Sequence, residues 1–393
     1  MLVLFPCDPL DEGRPDPEYL QEAEMALGCG HLVDLVSWEA LVRGEVATAI
    51  GAVSEFEEEI PAIYRGWMLT PEQYKELYEA LEVCSVKLIT TPEQYKNAHY
   101  LPGWYTELSD VTPESVWVPK EEIKDVSSLV AIASDMAPCV IKDYVKSRKH
   151  EWDEACFIPN AESAKKVVST FLERQDDLQG GVVFRKFDPL KPIGKHPDSG
   201  MPMSEEFRIF WIYGRIAGIG EYWDPKYYEG QDFPIPEPEE GGPTTYRVPD
   251  ALETLPHPEE FAVLAQKIDN PFIAMDIAHT EDDEWIVIEV GDAQVSTLPQ
   301  GGADAELLYR RLRQYVDVPP PSVMTQKDLD GMTCAEEGCD HKGHSTRFVF
   351  HSRCHMDSPT WVAYEGGILT IICAECELPV GRVLVHPGDV VKH

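Results

Sequence analysis

The sequence predicts an α+β chain in three parts: an N-terminal α/β domain over 1–118, a mixed, strand-rich domain over 119–316, and a small β-rich zinc-binding module over 323–393. Three observations predict it. Short apolar runs alternate with amphipathic helical segments in the first third. Long strand-like runs broken by turn signals fill the middle. Five of the ten cysteines and six of the twelve histidines crowd into the last region, behind the stiff DVPPPS stretch at 317–322.

In the first region MLVLF is a short apolar strand, and PEYLQEAEMALG is helical and stops at Gly28. PAIYRG and SVKLIT are strand-like, with a helix over 71–84 between them. The hexapeptide TPEQYK occurs at 70–75 and again at 91–96. It is one helix-start signal used twice: Thr70 and Thr91 cap, Pro71 and Pro92 take the first helical position, and Gln73 and Gln94 complete capping boxes.

In the second region CVIKDYVKS is a strand running into a loop, AESAKKVVSTFLERQ an amphipathic helix and GGVVFRKF a strand. EFRIFWIYGRIAGIGEYW is a hairpin turning near Tyr213-Gly214. A Pro-, Gly- and Glu-rich loop at 224–247 precedes the helix in DALETLPHPEEFAVLAQKI. PFIAMDIAH and EWIVIEVGD are two further strands around Glu281-Asp282-Asp283-Glu284.

The 393 residues carry 33 Lys and Arg against 70 Asp and Glu, a net charge of -37. Such a surface repels phosphate backbones and anionic membranes, which argues against nucleic-acid and membrane partners. No apolar run approaches the roughly 20 residues a bilayer requires, and the opening MLVLFPCDPL has no basic flank, so it is read as a strand and not a signal peptide. A cytoplasmic protein is the expectation, with Cys7, Cys29, Cys84, Cys139 and Cys156 reduced and structural.

The acids of the last hairpin carry the most chemistry. A symmetric turn sets Thr280 against Trp285 and so Asp276 against Glu289. Two opposed carboxylates among Met, Ile and Val repel one another, and a hard cation relieves both costs. Asp292 follows three residues later as a third oxygen donor. The competing reading is a solvated acidic face. Lys142 and Lys146 are the cations available for phosphates, and Arg208, alternating with apolar residues, has a fork suited to a carboxylate or phosphate.

Taken in order, the lysine strand VIKDYVKS, the basic dipeptide in VVFRKF, the strand arginine in EFRIFWIYGR, and the Asp276, Glu289 and Asp292 of MDIA…IEVGDAQ resemble the ATP-grasp superfamily. The match is closest to bacterial ATP-grasp proteins that begin with segments such as YRGWMLTPEQY and TTPEQY. The resemblance covers 1–316 and implies a pre-ATP-grasp α/β domain followed by an ATP-grasp fold. It implies an ATP- and Mg²⁺-dependent ligase. A small-molecule or peptide carboxylate attacks the γ-phosphate, and an amine or thiol acceptor then attacks the acyl-phosphate. By position it gives Lys142 and Lys146 to the nucleotide phosphates, and Arg185, Lys186 and Phe187 to the adenine hinge. Arg208 falls to the carboxylate or acyl-phosphate, with Lys142 and Arg208 as the catalytic pair. Asp276, Glu289 and Asp292 fall to Mg²⁺, with Asp292 standing where Asn is common. No general base is evident; His150, His196 and His279 are candidates only through nearness in sequence.

In the tail, Cys373-x-x-Cys376 between the strands ILTII and PVGRVLV has the spacing of a zinc knuckle. A hairpin turning at Gly366-Gly367 would bring Thr360 near Cys373, and with it Cys354 and His355 as the remaining Zn²⁺ ligands. His341 or His344 are alternatives for the fourth, and Cys334 and Cys339 join either the same site or a second one. The alternative to a ligase is an idle ATP-binding adaptor whose zinc module recruits a protein partner.

Overall fold

The computed structural model describes residues 1–174, 178–224, 227, 258–298 and 305–316, together with the backbone of the strands between 346 and 392. The first sheet is parallel, in the order β3-β1-β4-β5: β1 (Leu2–Asp8), β3 (Leu32–Val36), β4 (Ile60–Tyr64) and β5 (Val86–Leu88). The short β2 (Asp11–Pro15) folds back on the end of β1. β1 is buried along nearly its whole length, as a strand covered on both faces must be. Leu2 and Leu4 pack with Tyr64, Tyr74 and Leu77. Val3 and Phe5 pack with Phe210, Ile212 and Phe272 of the central sheet. The first domain therefore shares its second core with the domain that follows.

Helix α1 (Leu20–Gly28) precedes α2 (Trp38–Val42) and α3 (Val46–Ala49). Both TPEQYK segments open helices, α4 (Pro71–Leu81) and α5 (Pro92–His99), each with a complete capping box. The first ends in a 3₁₀ turn over Glu82–Cys84. Next comes α6 (Leu101–Leu108).

Two antiparallel sheets follow. The order of one is β6-β9-β7-β8: β6 (Ser115–Pro119), β7 (Cys139–Asp143), β8 (Phe157–Ile158) and β9 (Gly181–Lys186). Helices α7 (Val126–Met136) and α8 (Ala161–Arg174) cover it through Leu129, Ala133, Val167, Val168 and Phe171. A small ribbon, β10 (Pro192–Lys195) with β11 (Pro202–Ser204), leads to the other sheet. Its order is β13-β12-β14-β15: β12 (Glu206–Ile212), β13 (Arg215–Glu221), β14 (Phe272–His279) and β15 (Trp285–Asp292). The β12–β13 turn has positive φ at both Tyr213 and Gly214, the geometry a two-residue hairpin demands. Helix α9 (Pro258–Ala265) precedes β14, and α10 (Ala305–Val316) packs on the first domain through Leu308, Tyr309 and Leu312.

Arg65, just beyond β4, ties these parts together. It is 1% exposed, bonded by Nε and Nη2 to Glu22, and donates through Nη1 to the carbonyls of Ala293 and Ser296. Tyr309 donates its hydroxyl to the same Glu22, at 2.7 Å.

The tail forms two three-stranded sheets. One is β16 (Thr346–Phe350), β19 (Gly367–Cys373) and β20 (Pro379–Val385), with β19 central. The other is β17 (Cys354–Ser358), β18 (Trp361–Tyr364) and β21 (Val390–Lys392), with β18 central. This corrects the expected hairpin at Gly366-Gly367, because the strands on either side of it join different sheets. Cys354 pairs with Tyr364 and His355 with Ala363, whereas Cys373 pairs with Thr346. The argument that set Cys354 and His355 beside the knuckle therefore falls. Cys334, Cys339, His341, His344 and Cys376 lie outside the described residues, as do DVPPPS and most of the 224–247 loop. Among the described residues no helix is long and apolar enough to cross a membrane.

Candidate functional site

One row of residues crosses the central sheet. Arg208 on β12 pairs in register with Asp276 on β14, and Asp276 with Glu289 on β15. The opposition of Asp276 and Glu289 is reached by an unexpected route. The turn sets His279, not Thr280, against Trp285, one residue out of the symmetric count. A bulge that leaves Ile288 unpaired restores the register between Ile277 and Asp276.

The repulsion expected between the two carboxylates is relieved by basic side chains. Arg208 holds Asp276 bidentately, Nε at 2.7 Å and Nη2 at 2.8 Å, and its Nη1 donates to the Thr297 carbonyl at 3.1 Å. Lys142 reaches from β7 in the other sheet and bonds Glu289 at 2.7 Å. Burial alone would raise the Glu289 carboxyl, but Lys142, Lys149 and Arg208 together hold it at about 2. Glu289 therefore stays ionised at any ordinary pH.

Lys149, not Lys146, is the second lysine of the site. Lys146 is exposed. The buried Asp143 carboxylate accepts from the backbone N–H groups of Val145 and Lys146 and bends the chain there. Past this turn, a 3₁₀ segment at Lys149–Glu151 directs Lys149 over the Tyr222 ring, 5.2 Å from its centroid. Tyr222, together with Glu206, Glu289 and Asp276, raises the Lys149 ammonium above its ordinary value against the cost of burial. Arg208 lies 5.0 Å from the same ring, so Tyr222 stands between two cations. Glu206 is buried, accepts from the Ser204 hydroxyl and from Trp223 Nε1, and is pushed upward by burial. The bulk of Tyr222 and Trp223 was visible in the sequence as the end of a strand, but nothing in it showed which face they take.

Asp292 does not join the row. Three positions past Glu289 on a strand, it points to the opposite face. There it is fully buried, accepts from Asn270 Nδ2 at 2.7 Å and from the Gln294 backbone at 2.9 Å, and is pushed by burial to about 6. Among the described residues no group of three acidic, histidine or cysteine side chains is assembled for a metal. The structure brings two carboxylates together where the sequence reading expected three.

The hinge residues divide. Arg185 is turned inward, donating to Thr112 Oγ1 at 2.6 Å and to the Val287 carbonyl at 3.1 Å, and burial lowers it to about 10. Lys186 is exposed, near Glu114. Phe187 packs against Phe157 and Trp152, and its N–H donates to the Pro138 carbonyl. Of the histidines named from sequence, His150 is exposed, His196 faces Trp223 and Tyr227, and His279 bonds Glu205 at 2.8 Å and stacks on Trp285. His99 was missed. It is buried against Tyr95 at the end of α5, and burial lowers it to about 4, so it is neutral.

Residues 133–312 match a family model described as an ATP-grasp domain, the third family of its clade. The match runs from within α7 into α10 and takes in β7 to β15, so the mixed α/β architecture of this region is ATP-grasp-like. No curated protein matches the sequence. Among solved structures, D-cycloserine synthetase DcsG is similar at 14% identity and a TM-score of 0.48, covering 80% of this chain and 99% of its own. D-alanyl-alanine synthetase A from Vibrio cholerae gives 10% and 0.46, covering 80% and 98%. The ATP-grasp ligase PsnB complexed with a minimal precursor gives 11% and 0.45, also covering 80% and 98%.

Proposed function

We propose that the chain is an ATP- and Mg²⁺-dependent ligase that joins a carboxylate to an amine or thiol through an acyl-phosphate. The observation that carries this reading is the Arg208–Asp276–Glu289 row, with Lys142 and Lys149 reaching it from the neighbouring segment. Phosphoryl transfer asks a protein mainly for positioning and charge neutralisation, and this arrangement supplies both signs on rigid strands. The family match over 133–312 supports it.

In this reading Lys142 and Lys149 neutralise the triphosphate. Lys142 leaves part of its bond with Glu289 to do so. Asp276 and Glu289 are the residues that would hold Mg²⁺. Two oxygen donors on one sheet face, one of them firmly ionised, suit an ion that takes one or two carboxylates and completes its shell with phosphate oxygens and water. Bound there, the ion supplies charge neutralisation between the phosphates. Arg208, fixed by Asp276, holds the substrate oxygen against the γ-phosphate, and Arg185 serves the fold and not the nucleotide.

The test is calorimetric titration of the purified full chain with ATP, with and without Mg²⁺. Binding that requires the metal supports the reading. Tight metal-independent binding, or none in either condition, overturns it.

A further inference from the structure

Beside Arg208 lies a cavity of about 290 Å³, walled by Tyr222, Trp223, Tyr227 and Leu298, with Asp224 and Thr297 completing its lining. A guanidinium has five N–H donors. Two of those on Arg208 go to Asp276 and one to the Thr297 carbonyl, which leaves one on each terminal nitrogen. That pair is the fork a carboxylate takes end-on.

We propose that this cavity receives the carboxylate substrate, and that the substrate is a single α-amino acid with an aromatic or branched apolar side chain. The inference rests on the ligase reading above and names its substrate class. Size restricts the ligand first. About 290 Å³ is at the lower edge of small-molecule pockets, which run from roughly 300 to 1,000 Å³, and leaves no room for a nucleotide. The walls select next: three aromatic rings and a leucine bury apolar carbon, and they give a bare acetate or a glycine little to hold. The rings are set in place, Trp223 by its Nε1 bond to Glu206 and its edge contact with Tyr222, and Tyr227 by its ring contact with His196. Charge decides the rest. Arg208 meets the carboxylate, and Asp224 gives the same cavity an acceptor for an α-ammonium group. A peptide C-terminus would carry a neutral amide there and gain nothing from Asp224.

The reaction expected is attack of a substrate carboxylate oxygen on the γ-phosphorus. The bond to the β–γ bridging oxygen breaks, ADP leaves with the electron pair, and the acyl-phosphate remains. Hydroxylamine traps it: nitrogen bonds to the carbonyl carbon, inorganic phosphate departs, and the nitrogen loses a proton to water.

The experiment incubates the full chain with Mg-ATP, hydroxylamine and one acid at a time: phenylalanine or leucine as either enantiomer, glycine, acetate or 3-phenylpropionate. Mg-ATP binding is measured on the same sample. Hydroxamate from phenylalanine or leucine at least tenfold above glycine and acetate supports the proposal. So does a roughly tenfold rise in KM for the amino acid in Trp223→Ala that Trp223→Phe recovers, a step of the size one lost aromatic face produces. Asp224→Asn should erase the preference for phenylalanine over 3-phenylpropionate. Equal yields from glycine and phenylalanine overturn it, as does an unchanged KM in a folded Trp223→Ala. If Mg-ATP binds and no amino acid yields hydroxamate, the substrate assignment fails and the ligase reading stands. If Mg-ATP does not bind, the ligase reading fails and takes the assignment with it.

Discussion

Asp276 and Glu289 stand opposite one another across β14 and β15, and each is held by its own cation, Arg208 for the first and Lys142 for the second. The site is thus assembled before any ligand arrives, with charge in both signs fixed on two sheets. Glu289→Gln removes one member of the Lys142 pair and leaves a lysine that is 11% exposed without its partner. The loss should cost stability, by roughly 1–2 kcal/mol for a partly buried pair. Metal-dependent ATP affinity should fall more than tenfold. Urea denaturation and calorimetry of the same variant check both effects, and parental Mg-ATP affinity would rule Glu289 out as a ligand to the metal.

Lys146 and Lys149 separate a surface charge from a site charge. Lys149→Ala removes an ammonium stacked on Tyr222 near Glu206 and Glu289, and Mg-ATP binding should weaken about tenfold, the scale of one charge-assisted contact. Lys146→Ala trims an exposed side chain and should stay within twofold. Equal losses in the two variants, read by titration with Mg-ATP, would remove Lys149 from the site.

Arg65 holds the first domain to the segment after β15, through Glu22 on one side and the Ala293 and Ser296 carbonyls on the other. Arg65→Met leaves Glu22 without its countercharge and should cost about 3–5 kcal/mol, the range for breaking a buried ion pair. Adding Glu22→Leu should restore much of it, because the uncompensated carboxylate is then gone. A double variant as unstable as Arg65→Met alone would show that the two carbonyl bonds, and not the ion pair, hold the junction.

Much of this was legible in the sequence because it is local. The two TPEQYK caps, the Tyr213-Gly214 turn and the apolar strands depend on residues within a few positions of one another, and they stand as expected. What failed depends on counting across a distance. The opposition of Asp276 and Glu289 was expected from a turn that is one residue out, and the bulge at Ile288 compensates. A bulge among Val, Ile and Glu leaves no mark in a sequence. Asp292 was misplaced for a reason that was readable: an odd spacing on a strand reverses the face. Lys149 was hidden behind the Asp143 turn, which changes which lysine of KSRKH faces inward. In the tail, Gly366-Gly367 has the composition of a hairpin turn, yet β18 and β19 find partners in different sheets. Sheet partners are chosen by tertiary packing, which turn chemistry does not encode.

Asp292 and Glu289 give stability opposite dependences on pH. Glu289 falls from an ordinary 4.5 to about 2 in the folded protein, so the unfolded chain binds its proton more readily. Its contribution is present above about 4.5 and is lost as pH falls through about 2. Asp292 rises from 3.8 to about 6, first because burial penalises its charge, against the opposing bonds from Asn270 and Gln294. The folded protein therefore holds that proton more tightly. Its stabilisation is complete below about 3.8 and is lost as pH rises through about 6. A shift of that size corresponds to ~3 kcal/mol. Asp292→Asn cannot titrate. It also loses one acceptor, since its amide cannot accept from both Asn270 and Gln294, so it should be less stable than the parent at pH 4. Between pH 4 and 7 that deficit should shrink by ~3 kcal/mol, because only the parent must ionise a carboxyl in the interior. Urea denaturation of parent and variant at pH 4, 5, 6 and 7 measures the difference. A deficit that does not change with pH would mean Asp292 ionises as easily folded as unfolded, and that its bonds to Asn270 and Gln294 fully offset its burial.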